Sequence, residues 1–182
     1  SPLLILEKEE DRLIELLSRS LARFRHVTVA AERLPAPGKL RGITPETVDK
    51  LAKLNQIGYI IVEADGAAHR SLKAPNATEP VIPESTTLVI PVVGIDALDA
   101  PLGEEKVFRP HIVSRLTWLA PGEIITADAI ATLVTHPQGI AKGSPAQARI
   151  IPFLNKMDLD AGLARGKSLA ARILERKHPQ VK

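Results

Sequence analysis

The chain has 182 residues, of which 45% are hydrophobic and 25% are charged, a balance typical of a folded domain. It contains no cysteine, which excludes disulfide scaffolds, cysteine-ligated metal sites and thiol nucleophiles, and which favours a cytoplasmic setting. A net charge of +3 and an aromatic content of 3% do not indicate a nucleic-acid-binding protein, and no apolar run has the length of a membrane span.

Short apolar runs alternate with amphipathic stretches along the chain. In chain order, the pattern predicts a strand over 3–6, a helix over 7–24, a strand over 27–30, a helix that begins at Thr44-Pro45 and ends before Gly58, strands over 59–63 and 87–94, helices over 112–119 and 126–134, a strand over 148–154 and a helix over 163–177. The runs at 59–63, 87–94 and 148–154 are apolar throughout, which is typical of strands covered on both faces. We therefore expect one α/β domain over residues 1–182, with a mostly parallel sheet flanked by helices.

Two acidic residues mark the end of the predicted strand over 59–63. Glu63 and Asp65 are two residues apart and would share one face at the carboxyl edge of the sheet, where open α/β sheets bind ligands. Carboxylates there can hold Mg²⁺ directly or through water. Lys73 follows in a proline-rich loop and could return to this edge to neutralise a phosphate. The alternatives are a solvated acidic turn and an ordinary surface connection.

The segment Asn155-Lys156-Met157-Asp158 has the N-K-x-D form that reads guanine in GTP-binding proteins. In that role the carboxylate of Asp158 accepts from the guanine N1–H and exocyclic amine, the amide of Asn155 works near N7, and the stem of Lys156 packs over the base. Adenine lacks this pair of donors. The alternative is a polar loop in which Asp158 or Asp160 caps the last helix.

Two other patterns do not predict sites. Residues 162–168 resemble a phosphate-binding loop, but the spacing is one residue short and the segment lies inside an amphipathic helix pattern. The five histidines are scattered without a pair at metal-ligand spacing.

Six short motifs, taken in order, resemble the YqeC-type accessory proteins that are linked to selenium-dependent molybdenum hydroxylases. The motifs are Val62–Gly66, Lys73–Pro75, Glu79–Pro83, Val93–Leu98, Arg109-Pro110 and Leu154–Asp158. The likeness extends from about Gly38 to Asp158. It implies a P-loop NTPase-like, three-layer fold and a role in the maturation of a molybdenum enzyme or its cofactor.

The resemblance also implies roles for the motif residues. Glu63 and Asp65 correspond to Walker-B-like acids that handle Mg²⁺, and Asn155, Lys156 and Asp158 to the element that reads the base of GTP, or of ATP. The family opens with a glycine-rich phosphate-binding loop, which these residues lack, so we expect the chain as given to hydrolyse nucleotide poorly and the domain to lack an N-terminal P-loop segment.

Three functions follow as alternatives. The first is a nucleotide-binding maturation factor that acts as a GTPase-like NTPase only when an upstream P-loop is present. The second is a binding or chaperone module that holds a molybdenum–pterin cofactor or an apo-enzyme without hydrolysing nucleotide. The third is a small-molecule transferase acting on the cofactor. The expected partners are a nucleotide and a molybdenum hydroxylase or its cofactor.

Overall fold

The structure, a computed structural model, describes residues 3–182. Its helices are α1 (Glu10–Leu21), α2 (Pro45–Leu51), α3 (Pro110–Thr117), α4 (Ala127–Thr135) and α5 (Gly162–Glu175). Its strands are β1 (Leu3–Leu6), β2 (Val27–Ala30), β3 (Glu32–Arg33), β4 (Leu40–Arg41), β5 (Leu72–Lys73), β6 (Leu88–Val89), β7 (Val92–Gly94), β8 (Val107–Phe108), β9 (Arg149–Ile150) and β10 (Phe153–Asn155). This is the α/β architecture that the alternating sequence pattern predicts.

Strand pairing is mainly parallel among the described residues. The parallel pairs are β1 with β2, β5 with β8, β6 with β9 and β7 with β10, whereas β3 and β4 form a short antiparallel ribbon. The chain forms two compact units, one reaching to Val62 and including Pro83–Ser85, the other comprising Glu63–Ile82 and Thr86–Lys182. The expectation of a single domain over residues 1–182 stays a prediction.

The first unit is built on the parallel pair β1 and β2, covered by α1. Leu13 and Leu17 lie one helical turn apart, so both point to the same side of α1, where they are buried with Ile5 and Leu51. The sequence pattern predicts this strand, helix and strand, and the structure confirms all three.

Helix α2 begins as the sequence predicts. The hydroxyl of Thr44 accepts a hydrogen bond from the Thr47 N–H at 3.2 Å, and Pro45 occupies the first helical turn. The Thr47 hydroxyl donates to the Glu10 carboxylate at 3.0 Å, and Lys50 pairs with the same carboxylate. These contacts tie α2 to α1.

The second unit contains a longer parallel pair that two prolines interrupt. β6 and β9 run into β7 and β10 with one register, since Leu88 faces Arg149 and Val92 faces Phe153. Pro91 and Pro152 lie at matching positions between the two halves and cannot donate to the ladder. The predicted strands over 87–94 and 148–154 are therefore confirmed, each in two pieces.

The two faces of this parallel pair differ in exposure. On one face Val93 and Ile150 are buried in the core, and Val89 and Leu154 pack against it. The opposite face exposes apolar side chains: Leu88, Ile90, Val92, Ile151 and Phe153. The expectation that these strands are covered on both faces is therefore wrong, because alternate side chains point into solvent.

Helices α3, α4 and α5 supply much of the second unit's core. Their buried apolar side chains include Val113, Ile130, Leu133, Leu169 and Ile173. The Thr126 hydroxyl accepts from the Ala129 N–H at 3.2 Å, so Thr126 is the predicted cap of α4. No helix within residues 3–182 is long and apolar enough to cross a membrane.

The predicted strand over 59–63 is wrong. This segment forms no strand, and its side chains are largely in solvent: Tyr59 is 94% and Ile61 is 96% exposed. A β-branched run favours extended backbone, but a strand also needs a neighbour for its N–H and C=O groups. Among the described residues no strand pairs with this segment, so the local preference is not realised.

Candidate functional site

The candidate site begins where β7 and β10 end. These strands are parallel, and their last residues, Gly94 and Asn155, face each other in register. A 3-10 turn over Ile95–Ala97 follows β7, and the Asn155–Asp158 segment follows β10. Because parallel strands bring their carboxyl ends to one edge, the turn carrying Asp96 lies beside the N-K-x-D segment.

Asp96 joins the two segments through an ion pair that spans 60 residues of sequence. Its Oδ2 atom accepts from Lys156 Nζ and from Lys106 Nζ, each at 3.0 Å. Lys156 also donates to the Ser71 hydroxyl at 2.6 Å. Burial by itself raises the pKa of the Asp96 carboxyl, but hydrogen bonds from Ser71 and the two lysines outweigh burial and hold it at about 2. Asp96 is therefore ionised at neutral pH although its side chain is only 16% exposed.

Gly94 makes the close approach of these groups sterically feasible. A Cβ atom at this position would lie 2.8 Å from Asp96 Oδ1 and 2.8 Å from the Cβ of Ser71. The Gly94 N–H also donates to the Ser71 carbonyl at 2.8 Å, which joins β7 to the segment leading into β5. A larger residue at position 94 would push Ser71 and Asp96 apart.

The N-K-x-D segment is anchored by its two middle residues. Lys156 has a left-handed backbone with φ of 62°, and its side chain points back to Asp96 and Ser71. Met157 packs against α5, where Gly162 leaves room: a Cβ there would lie 2.6 Å from the Met157 carbonyl oxygen. The Met157 side chain lies against Gly166 of α5, so the side chains at both middle positions anchor the loop.

The two outer residues of the segment remain exposed. Asn155 is exposed, and its Oδ1 atom accepts from the Lys156 N–H at 2.8 Å. Asp158 is exposed, and its carboxylate has no hydrogen-bond partner within residues 3–182. The alternative that Asp158 or Asp160 caps the last helix is wrong, because α5 begins at Gly162 with Ala161 as its N-cap residue and without a side-chain cap.

A second charged cluster surrounds Lys73. Its Nζ atom lies 2.5 Å from Asp65 Oδ2 and 2.7 Å from Glu79 Oε2, and it donates to the Gly66 carbonyl at 2.8 Å. The Lys73 side chain is only 10% exposed, and these three acceptors match the three donors of an ammonium. Lys73 thus returns to Asp65 as expected, but a phosphate could bind its ammonium only by displacing one of these partners.

Glu79 connects this cluster to α3. Arg109, the residue before α3, donates to Glu79 through both terminal guanidinium nitrogens, at 2.5 and 3.0 Å. Hydrogen bonds from Arg109 and then from Lys73 lower the pKa of the Glu79 carboxyl from 4.5 to about 2, against the opposing effect of burial. The Lys73 ammonium and the Arg109 guanidinium both lie over the ring of Phe108, at 5.8 and 4.4 Å from its centre.

The structure brings three of the predicted site residues, Asp65, Lys73 and Lys156, into two neighbouring clusters. Ser71 and Lys73 flank Leu72, so the Asp96–Lys156 cluster and the Asp65–Lys73 cluster lie side by side along one segment. The side chains of Asn155 and Asp158 are exposed at the edge of these clusters, and Glu63 lies outside both. It is exposed, and it does not share a strand face with Asp65 because the strand is absent.

Sequence reasoning missed the residues that complete the clusters: Ser71, Glu79, Asp96, Lys106 and Arg109. Three of them, Glu79, Asp96 and Arg109, stand inside the ordered motifs that carry the family resemblance, and that position was the available signal. Asp96 and Lys156 are 60 residues apart and Glu79 and Arg109 are 30 residues apart, so no local pattern indicates these two pairs.

No metal cluster marks the site among residues 3–182. No group of three or more His, Cys, Asp or Glu side chains there is placed to hold a metal ion. A shallow depression along α4 and α5, lined by residues such as Ala127, Ser168 and Arg172, contains none of the predicted site residues. The sequence resembling a phosphate-binding loop at 162–168 lies within α5.

Comparison with known proteins gives a family match. The family described as YqeC protein matches residues 5–111. The chain is 38% identical over 119 residues to the protein YqeC of Escherichia coli (strain K12), an alignment that covers 65% of this chain and 46% of that protein. The chain thus spans about half the length of the curated relative it matches. No solved structure matches significantly.

Proposed function

Because the chain belongs to the YqeC family, we propose that it is a nucleotide-binding accessory factor that recognises guanine. In this proposal the factor serves in the cytoplasm, in the maturation of a selenium-dependent molybdenum hydroxylase or of its cofactor. The fold proposed for the whole protein is P-loop NTPase-like. GTP hydrolysis and action on a client enzyme are proposed only for a protein as long as the relative, because this chain spans about half of that length.

The observation that carries the proposal is the loop over Asn155–Asp158. Its middle residues are held by the protein, while Asn155 and Asp158 present an amide and a carboxylate to solvent. A carboxylate beside guanine accepts from N1–H and from the exocyclic amine. Beside adenine it faces an acceptor at N1 and no donor at C2. A site built on such pairing rejects the mismatched base because a polar group is left unpaired.

Binding of Mg²⁺ is a less supported part of the proposal. Asp65 is already paired with an ammonium, and Glu63 is exposed without a neighbouring ligand, so these acids do not form a closed metal site by themselves. Mg²⁺ is commonly bound by one or two carboxylates together with substrate phosphates. The role of Glu63 and Asp65 in holding Mg²⁺ therefore stays a prediction, and it depends on a bound nucleotide.

The contacts of Lys73 favour the alternative of a binding module that does not hydrolyse nucleotide. The three donors of the Lys73 ammonium are used by Asp65, Glu79 and Gly66. The cation expected to meet phosphate is thus engaged inside the protein. On this alternative the chain holds a guanine- or pterin-like ring without phosphate chemistry, because both rings present an N–H beside an exocyclic amine.

Calorimetric titration with guanosine, GTP and ATP tests the proposal. We expect GTP to bind at least about tenfold more tightly than ATP, and Asp158→Asn to reduce that preference because an amide offers one acceptor oxygen and adds donors. Asp160→Asn is the matched control, since Asp160 is also exposed and lies two residues away. Equal affinity of the wild-type chain for GTP and ATP would refute guanine recognition.

The same titration separates the two alternatives. Tighter binding of GTP than of guanosine would indicate that the protein contacts phosphate, as an NTPase must. Equal binding of GTP and guanosine would support the module that holds only the ring.

A further inference from the structure

Asp96 has features that an ordinary surface carboxylate lacks. It lies in the turn after β7, its side chain is only 16% exposed, and two lysine ammonium groups converge on its Oδ2 atom. Its Oδ1 atom is buried and accepts no hydrogen bond of normal geometry from residues 3–182. Burying a charge is costly, so such a carboxylate is retained where it holds something in place.

Asp96 binds Lys156, the second residue of the N-K-x-D loop. A left-handed backbone at a residue with a side chain is unfavourable by about 1 kcal/mol, and it persists where surrounding contacts fix it. The Lys156 side chain makes two such contacts, to Asp96 and to the buried Ser71. Because the backbone turns at Lys156, its conformation decides where Asn155 and Asp158 point.

The contact of Lys156 with Ser71 has another conceivable meaning, a Ser–Lys catalytic pair. That pair needs an unprotonated amine to take the serine proton. Here Lys156 donates to the Ser71 hydroxyl instead of accepting from it, and it also donates to the Asp96 carboxylate. The geometry therefore fits a structural tie.

We propose that Asp96 is a positioning residue that fixes the base-reading loop over Asn155–Asp158 through its ion pair with Lys156. This inference rests on the proposed guanine recognition for its functional meaning. Asp96 does not touch the base. It sets the backbone turn at Lys156, and the turn places the Asp158 carboxylate for the two donors of guanine.

Amide hydrogen exchange measures the loop directly. The Lys156 N–H is bonded to Asn155 Oδ1, the Leu159 N–H to the Lys156 carbonyl, and the Gly162 N–H to the Leu159 carbonyl just after the loop. In Asp96→Asn we expect exchange of these amides to accelerate by about tenfold, because a charge-assisted tie becomes a neutral one. Asp99→Asn is the matched control: Asp99 is 68% exposed, pairs with Arg165, and has no bond to Lys156.

A second pair of variants keeps the test decisive if Asp96→Asn unfolds. Lys106 and Lys156 share the same oxygen of Asp96, but Lys106 lies outside the loop. We expect Lys156→Met to accelerate loop exchange and Lys106→Met to leave it unchanged. Equal effects of the two substitutions would overturn the proposal.

Equilibrium dialysis with guanosine and adenosine completes the experiment. Faster loop exchange in Asp96→Asn together with a lost guanosine preference supports the proposal. Unchanged exchange in a folded Asp96→Asn variant, or faster exchange with the preference retained, overturns it. If wild-type protein shows no preference but Asp96→Asn still loosens the loop, guanine recognition fails while the tie between Asp96 and the loop is supported.

Discussion

Replacing Glu79 with glutamine should destabilise the protein in a pH-dependent way. Glu79 accepts both guanidinium hydrogen bonds of Arg109 and lies 2.7 Å from the Lys73 ammonium. The fall of its pKa from 4.5 to about 2 corresponds to roughly 3 kcal/mol, since one unit is worth about 1.4 kcal/mol. Partial exposure screens part of this, so we expect Glu79→Gln to cost about 2 to 3 kcal/mol at pH 7.

The sign of the pH dependence follows from the lowered pKa. A carboxyl whose pKa is lower in the folded state stabilises the protein above its unfolded-state pKa, and the stabilisation is lost as pH falls towards 2. Urea unfolding of wild type and Glu79→Gln should therefore show a large difference in unfolding free energy at pH 7 that shrinks between about pH 5 and pH 2.5.

The matched control for this experiment is Glu104→Gln. Glu104 is exposed and makes no side-chain ion pair within residues 3–182. Its replacement should change the unfolding free energy by less than about 0.5 kcal/mol at every pH. A Glu79→Gln deficit that is equally large at pH 7 and pH 2.5 would refute the ion-pair reasoning and point to lost packing instead.

Two further predictions concern stability. Gly94→Ala should cost about 1 to 3 kcal/mol in chemical unfolding, because the added Cβ meets Asp96 and Ser71 at 2.8 Å. Gly103→Ala is the control, since a Cβ at that position would meet no atom within 4 Å. Equal stability of the two variants would contradict the steric account. Thr126→Ala should cost about 1 kcal/mol by removing the cap of α4, and an unchanged thermal midpoint would show that this hydrogen bond contributes little.

Local signals in the sequence predicted the elements that depend on local interactions. Thr44 and Thr126 each cap a helix, and proline interrupts each of two strands, because capping and proline geometry involve only near neighbours. The segment 59–63 shows the limit of this reasoning. Its β-branched residues favour extended backbone, but strand formation depends on a pairing partner that propensity does not reveal.

In the candidate site, too, contacts between residues near in sequence could be predicted and contacts between distant residues could not. The return of Lys73 to Asp65 was predictable because only seven residues separate them, and opposite charges near one strand end tend to pair. The tie between Asp96 and Lys156 was not, since it depends on the register in which Gly94 faces Asn155. Register is set by the packing of two whole strands, and a single sequence does not display it.

Met157 gives the protein a built-in spectroscopic reporter. It is the only methionine in the chain, it stands between Lys156 and Asp158, and its side chain packs against Gly166 of α5. Protein labelled with ¹³C at the methionine methyl group would therefore give a single methyl resonance, which needs no assignment. That resonance comes from the residue that precedes Asp158 in the chain, so its chemical shift should follow ligand occupancy of the loop during a titration.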